Sequence, residues 1–181
     1  MRKVMMLFIA AFVLAGFSVV EYNRAADENG SILKVNAGFS PTVGHEMVPF
    51  QLPDMEEESV WIKSGEKKLI FLNFWASWCG PCELEAPDLQ KLHEKYGDVM
   101  TIYGINSTKN DKERAARQFV EDYKFTFPVV FDREGDITKL FKIQSYPTNF
   151  LVDSNGVIRE RIPGVITYED WERRIEKWLE K

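Results

Sequence analysis

The distribution of apolar and polar residues predicts a chain of alternating strands and helices. Residues 69–74 are almost continuously apolar, which is typical of a strand buried on both faces of a sheet. Apolar side chains then recur at helical spacing through residues 81–96, and Pro87 inside this predicted helix should kink it. The side chains expected to face inward there are Leu84, Leu89, Leu92 and Tyr96.

The rest of the chain shows the same two periodicities. Predicted strands lie at residues 99–105, 128–131, 148–152 and 157–162, and predicted helices at residues 111–123 and 137–141. The helix at 111–123 should turn Ala115, Phe119 and Val120 inward. Thr167 can cap a last helix, whose expected core-facing residues are Trp171, Ile175, Trp178 and Leu179.

Two segments before the central strand, residues 43–52 and 60–62, predict a short hairpin. The acidic run Glu56-Glu57-Glu58 between them is expected to be a solvated turn, or alternatively a surface that attracts a basic partner. The elements after this hairpin follow the order β-α-β and then α-β-β-α. We therefore predict an α/β fold in which helices flank a mixed central β-sheet, with an N-terminal β-hairpin extension.

The N-terminus has the pattern of a targeting segment. Arg2 and Lys3 precede seventeen uncharged residues, 4–20, which as a helix would span about 26 Å, slightly less than a bilayer core. No clear cleavage site follows, so we expect residues 1–22 to be a signal anchor, with a cleaved signal peptide as the alternative. The positive-inside rule would place the following domain outside the cytoplasm.

The domain organisation follows from these segments. Residues 23–40 are polar and aperiodic, which predicts a linker, and residues 41–181 carry the predicted strands and helices of a single domain. A chain of 181 residues, 45% of them hydrophobic, suits one globular domain plus such extensions. Its formal net charge of −5 and the lack of a basic patch argue against a nucleic acid partner.

The only two cysteines, Cys79 and Cys82, lie between the predicted central strand and the following helix. A thiol pair at this junction is typical of a redox centre, because the free N–H groups and partial positive charge of a helix N-terminus stabilise a thiolate. Cys79 is nearer the helix start and is the expected thiolate. Cys82 lies about one turn further on, within reach for a disulfide.

Other uses of the cysteine pair fit the sequence less well. A closed zinc site needs four ligands, whereas His45 and His93 are the only histidines. A purely structural disulfide would close a very short loop and would add little stability in the chain-entropy model. Gly80 and Pro81, between the cysteines, are expected to shape the tight turn that a reversible disulfide requires.

The sequence around the cysteines, Phe-Trp-Ala-Ser-Trp-Cys-Gly-Pro-Cys at 74–82, resembles the active site of the thioredoxin superfamily. The continuation Glu-Leu-Glu-Ala-Pro at 83–87 is similar to the ResA/TlpA/CcmG branch, which are membrane-anchored extracytoplasmic thiol–disulfide oxidoreductases. Ser-Tyr-Pro-Thr at 145–148 matches the family's cis-proline loop, and Phe-Leu-Val-Asp at 150–153 the strand after it. The similarity runs from about residue 43 to the C-terminus and implies a thioredoxin-like fold. Asn73 stands where cytoplasmic thioredoxin has a buried aspartate, a change usual in this branch.

The resemblance also implies roles for the residues that carry the chemistry. Cys79 would attack the substrate disulfide, and Cys82, expected to be the more buried of the two, would resolve the mixed disulfide. Glu85 lies one helical turn after Cys82 and would exchange protons with it if its carboxyl is buried. From spacing alone, Glu85 would be an ordinary glutamate on the helix surface.

Further residues are expected to bind the substrate or to support the site. Pro147 should be cis and lie against the cysteine pair, where the backbone of Tyr146 would pair with an extended substrate peptide. Trp78 should form an exposed apolar contact surface for the substrate. Asn73 should be buried and hydrogen-bonded, and should support the site together with Gly80 and Pro81. The redox-active disulfide is the expected reactive group, and neither a metal nor a separate cofactor is expected.

These features together predict an enzyme, a thiol–disulfide oxidoreductase that reduces disulfides in extracytoplasmic proteins. The Gly-Pro dipeptide between the cysteines is that of thioredoxin, a reductant. The resemblance suggests apocytochrome c as a substrate, because its C-x-x-C-H motif must be reduced before haem attachment. It also suggests a membrane electron donor of the CcdA/DsbD type. The catalytic domain is expected to be monomeric and attached to the cell membrane, or secreted if the leader is cleaved.

Two other functions remain as alternatives. A disulfide oxidase or isomerase of the cell envelope would use the same cysteines, and a measured reduction potential would distinguish it from a reductase. A metal-binding or metallochaperone module is the other alternative. Copper carriers of this fold use C-x-x-x-C with a distal histidine, whereas this chain has C-x-x-C and no obvious histidine partner.

Overall fold

The computed structural model describes residues 39–180. The predicted signal segment, residues 1–22, and residues 23–38 of the predicted linker lie outside the described residues. Between residues 39 and 180, no helix is both long enough and apolar enough to cross a bilayer. The strands are β1 (Phe50–Pro53), β2 (Ser59–Ile62), β3 (Leu69–Trp75), β4 (Met100–Asn106), β5 (Val129–Phe131), β6 (Thr148–Asp153) and β7 (Ile158–Pro163). The α-helices are α1 (Gly80–Tyr96), α2 (Glu113–Asp122), α3 (Asp136–Leu140) and α4 (Tyr168–Leu179).

Strand β3 lies at the centre of a five-stranded sheet with the order β5-β4-β3-β6-β7. β4 is parallel to β3, β5 is parallel to β4, and β6 and β7 each run antiparallel to the strand before them in the sheet. This confirms the predicted mixed sheet. Every residue of β3 is buried, as expected for a continuous apolar run with both faces covered.

Alternate residues of β3 enter two separate cores, because side chains of a strand point in turn to opposite faces of the sheet. Phe71 and Trp75 pack into the core formed with α1, α2 and α4. Leu72 and Phe74 pack into the core formed with the β1–β2 hairpin and with Phe141 at the end of α3. Asn73 shares the face of Phe71 and Trp75, so that its side chain points towards α1.

The N-terminal hairpin is present but shorter than predicted, because residues 43–49 do not join it. The N–H groups of Gly44 and Met47 instead donate to the carbonyls of Ile158 and Gly156, at the start of β7. A bridge between Glu46 and Val157 continues this pairing. The segment therefore covers the outer edge of β7, where backbone groups would otherwise be open to another chain.

The acidic turn of the hairpin binds arginines of the same chain. The Glu57 carboxylate accepts hydrogen bonds from Arg117 at 2.8 Å and from Arg133 at 2.7 Å. Arg117 also donates to the carbonyl of Met55 at 2.7 Å. A single exposed ion pair contributes little, roughly 0–1 kcal/mol, but these contacts share donors and acceptors in one network. They attach the hairpin to α2.

Two predictions about inward-facing residues are wrong. Leu84 is 75% exposed, and Ala115 is exposed while its neighbour Ala116 is buried. In α1 the buried position next to Leu84 belongs to Glu85. An apolar residue therefore stands outside and a carboxyl inside, the reverse of the usual preference.

The contrast between Leu84 and Leu92 yields a stability prediction within one helix. Leu92 is fully buried, so Leu92→Ala should lower the free energy of unfolding by about 2–5 kcal/mol, through lost burial and a residual cavity. Leu84→Ala, the same substitution at an exposed position, should change it by less than about 0.5 kcal/mol. Urea unfolding of both variants checks this. Equal losses would contradict the assignment of the buried face of α1.

Candidate active site

Cys79 and Cys82 form a disulfide at the junction between β3 and α1, with their Cα atoms 5.2 Å apart. Cys79 is the N-cap residue of α1, and its Sγ accepts a hydrogen bond from the backbone N–H of Cys82 at 3.2 Å. A donor directed at Sγ, together with the helix dipole, would stabilise the thiolate of Cys79 after reduction. Both residues are 4% exposed, so the prediction that Cys82 is the more buried is wrong.

Gly80 and Pro81 occupy the first two positions of α1. Proline suits this position because the first N–H groups of a helix have no partner within it. Gly80 has no positive φ, and a Cβ placed on it would meet no atom within 4 Å. The turn between the cysteines therefore does not require glycine on steric grounds.

Glu85 lies one turn after Cys82 and is only 1% exposed, which excludes the surface position that spacing alone suggested. Its Oε2 accepts a hydrogen bond from Asn73 at 3.1 Å. Its Oε1 accepts one from Asn149 at 2.7 Å and a longer one from the indole N–H of Trp171 at 3.4 Å. Three donors therefore surround one buried carboxyl.

Burial raises the pKa of Glu85 from its ordinary value of 4.5 to about 7. The hydrogen bonds from Trp171, Asn149 and Asn73 limit this rise, because they stabilise the ionised form. The negative charge of Asp88 adds to the rise. A carboxyl that titrates near neutral pH can both accept and release a proton under ordinary conditions.

The register of the sheet explains how the donors reach Glu85. Asn73 of β3 lies directly opposite Asn149 of β6, and the two amides share a 2.8 Å hydrogen bond. Trp171 reaches the same carboxyl from the first turns of α4. Asn73 was predicted from sequence as a site residue, whereas Asn149 was not, and Trp171 was predicted only as a core residue. An asparagine in the middle of an apolar strand is a signal that could have indicated Asn149.

The loop before β6 lies beside the cysteine loop. The Tyr146–Pro147 peptide bond is cis, as the motif predicts. The rings of Tyr146 and Trp78 meet edge to face with their centroids 5.7 Å apart. Trp78 is 61% exposed, which confirms its predicted exposure. The two aromatic side chains therefore form one surface next to the disulfide.

Asp111, which the sequence analysis did not single out, holds the loop that leads to the cysteines. Its carboxylate accepts hydrogen bonds from the N–H and the hydroxyl of Ser77, both at 2.6 Å. It also accepts one from the amide of Asn106 at 2.8 Å. The neighbouring carbonyl of Asn110 accepts the indole N–H of Trp78 at 2.9 Å. The loop between β4 and α2 thus positions the residues just before Cys79.

The described residues offer no obvious metal site. Across residues 39–180, no cluster of three or more histidine, cysteine, aspartate or glutamate side chains could hold a metal ion. Nδ1 of His45 hydrogen-bonds the hydroxyl of Thr42, and the ring of His93 packs against Phe127. The geometry gives no specific support to the metallochaperone alternative.

A thioredoxin-like sheet, a cysteine pair at the start of the helix after its central strand and a cis-proline loop beside it define the class of thiol–disulfide oxidoreductases with a thioredoxin fold. The chain belongs to the AhpC/TSA family, whose model matches residues 43–161. Enzymes of this class carry electrons in their own cysteines and need no cofactor.

Individual relatives agree with this class. The chain is 30% identical to the thiol–disulfide oxidoreductase ResA of Geobacillus kaustophilus over 178 residues, which cover 97% of this chain and 95% of that protein. It is 33% identical to the thioredoxin-like protein YneN of Bacillus subtilis over 134 residues, 74% of this chain and 78% of that protein. A crystal structure of a DsbE-type thiol:disulfide interchange protein from Chlorobium tepidum superposes with a TM-score of 0.70 at 29% identity, covering 77% of this chain and 99% of that one. The chain is a thiol–disulfide oxidoreductase.

The raised pKa of Glu85 makes stability depend on pH. Between its ordinary value of 4.5 and about 7, the folded protein keeps a proton that the unfolded chain has released. The contribution of protonated Glu85 to the free energy of unfolding is therefore complete below about pH 4.5 and is lost as the pH rises to about 7. Glu85→Gln has no proton to lose. Its free energy of unfolding relative to the native protein should rise by on the order of 3 kcal/mol over this range.

Urea unfolding at a series of pH values measures this difference. Glu83→Gln is the matched control, because Glu83 is an exposed carboxyl on the same helix and should leave the pH profile of the native protein in place. If the free energies of unfolding of Glu85→Gln and the native protein differ by the same amount at every pH, Glu85 does not titrate between these pH values.

Proposed function

We propose that this protein is a reductase attached to the outer side of the cell membrane, and that it reduces disulfides in extracytoplasmic proteins. The observation that carries the proposal is the position of Cys79, whose Sγ caps α1 and accepts a backbone N–H at 3.2 Å. This placement favours a thiolate, and only the thiolate attacks a disulfide. In the proposed reaction two electrons pass from the reduced cysteine pair to the substrate.

The reaction proceeds in two exchanges. The Cys79 thiolate attacks one sulfur of the substrate disulfide, so that a mixed disulfide forms and the other substrate sulfur leaves as a thiolate, which takes up a proton. Cys82 then loses its proton to the Glu85 carboxylate and attacks Sγ of Cys79. The second substrate sulfur leaves, and the Cys79–Cys82 disulfide forms. Glu85 suits this role because its raised pKa of about 7 makes its carboxylate a stronger base than an ordinary one and brings it closer to the pKa of a free thiol, about 8.5.

The loop at Tyr146 and Pro147 is the proposed binding site for the substrate backbone. Among the described residues, no backbone hydrogen bond involves the N–H or C=O of Tyr146. An extended peptide can satisfy both groups by adding a short strand-like pairing at this point. Trp78 and Tyr146 would then cover the apolar side chains next to the attacked cysteine.

The proposed direction of electron flow rests on the dipeptide between the cysteines and on the predicted compartment. Gly-Pro is the dipeptide of thioredoxin, whose potential is about −270 mV, against about −120 mV for the oxidant DsbA. Disulfides form readily outside the cytoplasm, so a reductase there needs a supply of electrons. We propose that residues 1–22 anchor the protein and that a membrane donor of the CcdA/DsbD type reduces it.

The resemblance to ResA supports apocytochrome c as a substrate, because haem attaches to reduced cysteines of a C-x-x-C-H motif. Other extracytoplasmic proteins with accessible disulfides fit the same site. The shape and charge around Trp78 and Tyr146 would select among them.

The reduction potential of the Cys79–Cys82 pair tests the proposed direction. Equilibration with glutathione or dithiothreitol buffers should give a value at or below about −230 mV, in the range of thioredoxin. Such a value would require a membrane source of electrons. A value of about −120 to −180 mV would overturn the proposal in favour of an oxidase or isomerase.

Trapping of mixed disulfides tests the assignment of the two cysteines and identifies substrates. Cys82→Ser should accumulate mixed disulfides through Cys79, because the resolving thiol is missing. Cys79→Ser is the matched control and should accumulate almost none. Mass spectrometry of the trapped proteins should find apocytochrome c or other extracytoplasmic proteins. Equal trapping by both variants would contradict the assignment of Cys79 as the attacking residue.

A further inference from the structure

A groove lies between α1 and the loop that joins β7 to α4. Its volume is about 830 Å³. Asp88 and Lys91 of α1 line one side. Val165, Tyr168, Glu169 and Asp170 are among the residues of the loop and of the first turn of α4 that line the other. None of these side chains attacks a disulfide or exchanges a proton in the reaction described above, although the charge of Asp88 contributes to the raised pKa of Glu85.

The groove begins at the loop proposed to bind the substrate backbone. The N–H of Gly164 donates to the carbonyl of Pro147 at 2.7 Å. Val165, the next residue after Gly164, therefore lies close to the cis-proline loop. Leu84 lies one helical turn before Asp88 and therefore on the same face of α1. Leu84 and Val165 are two of the few large apolar side chains that are exposed among the described residues. An apolar entrance thus stands between the active site and the groove.

The charged residues that line the groove are mostly acidic. Asp88, Glu169 and Asp170 supply three carboxylates, and Lys91 supplies one ammonium group. Lys91 is engaged by Asp88 at 3.0 Å and lies over the ring of Tyr168 at 5.7 Å. Asp170 pairs with Arg173 outside the groove. Within the described residues Glu169 is exposed and makes no ion pair, so its charge is available to a ligand.

We propose that this groove binds the segment of a protein substrate that flanks the attacked cysteine, and that it selects segments with an apolar residue followed by a basic one. The apolar residue lies between Leu84 and Val165, and the basic residue lies near Glu169. The inference rests on the proposed reductase function, because the segment is placed by its disulfide and by the loop at Pro147. It adds a preference for sequence that the cysteine pair alone cannot supply.

Peptide disulfides with matched flanks test this preference. The probe is Lys-Gly-Leu-Gly-Cys-Gly-Leu-Gly-Lys, joined through its cysteine to 2-mercaptoethanol and symmetric so that either chain direction presents the same residues. A second peptide has glutamate in place of both lysines, and a third has serine in place of both leucines. The full chain, reduced and in detergent, is mixed with each peptide, and the rate is divided by that for the uncharged 2-hydroxyethyl disulfide.

The native protein should reduce the lysine peptide about fivefold faster than the glutamate peptide at low salt, and the ratio should approach one at about 0.5 M salt. Glu169→Lys should abolish or reverse this preference. Glu121→Lys is the matched control, because Glu121 is an exposed carboxylate of α2 outside the groove, and it should keep the native preference. Equal rates with both peptides at low salt would overturn the proposal.

The apolar entrance has its own test. The native protein should prefer the leucine peptide to the serine peptide by about tenfold, and Leu84→Ser should reduce this preference to about threefold. Val43→Ser is the matched control, because Val43 is also exposed but lies far from the groove. Its neighbour Gly44 pairs with Ile158, which is about 20 Å along β7 from Gly164. A preference that Leu84→Ser leaves unchanged would overturn the groove as the binding site. Failure to reduce even 2-hydroxyethyl disulfide would instead contradict the underlying reductase function.

Discussion

The buried carboxyl of Glu85 is the constraint on which the arrangement of this site depends. A carboxyl removed from water is costly unless donors surround it, and here the donors come from three other elements: β3, β6 and α4. Because Glu85 belongs to α1, these hydrogen bonds join the redox helix to the centre of the sheet and to the last helix. The pKa of about 7 is the chemical result of the same burial.

A second polar cluster fixes the approach to the cysteines from the other side. Asp111 holds Ser77, and the carbonyl of Asn110 holds the indole of Trp78. The residues that precede Cys79 are therefore attached to the loop after β4, while those that follow Cys82 are attached to the sheet. The cysteine pair is thus held in place from both sides.

The local motifs of the site could be predicted from sequence, and its long-range contacts could not. Residues close together in the chain indicate the cysteine pair, the cis bond at Pro147 and the succession of strands and helices along the sequence. Asn149 and Trp171 meet Glu85 across separations of 64 and 86 residues, and no periodicity encodes such a contact. The error at Leu84 has a physical cause, because a hydrophobic pattern cannot indicate that the inward position belongs to a carboxyl.

The most direct test of this account is the titration of Glu85 itself. Infrared difference spectra of the oxidised native protein and Glu85→Gln, recorded across pH, isolate the carbonyl band of the protonated carboxyl. If burial raises the pKa of Glu85 as described, this band disappears with a midpoint near pH 7. A midpoint near the ordinary value of 4.5 would contradict the account, because a carboxylate of ordinary basicity is a much weaker acceptor for the Cys82 proton than one whose pKa is about 7.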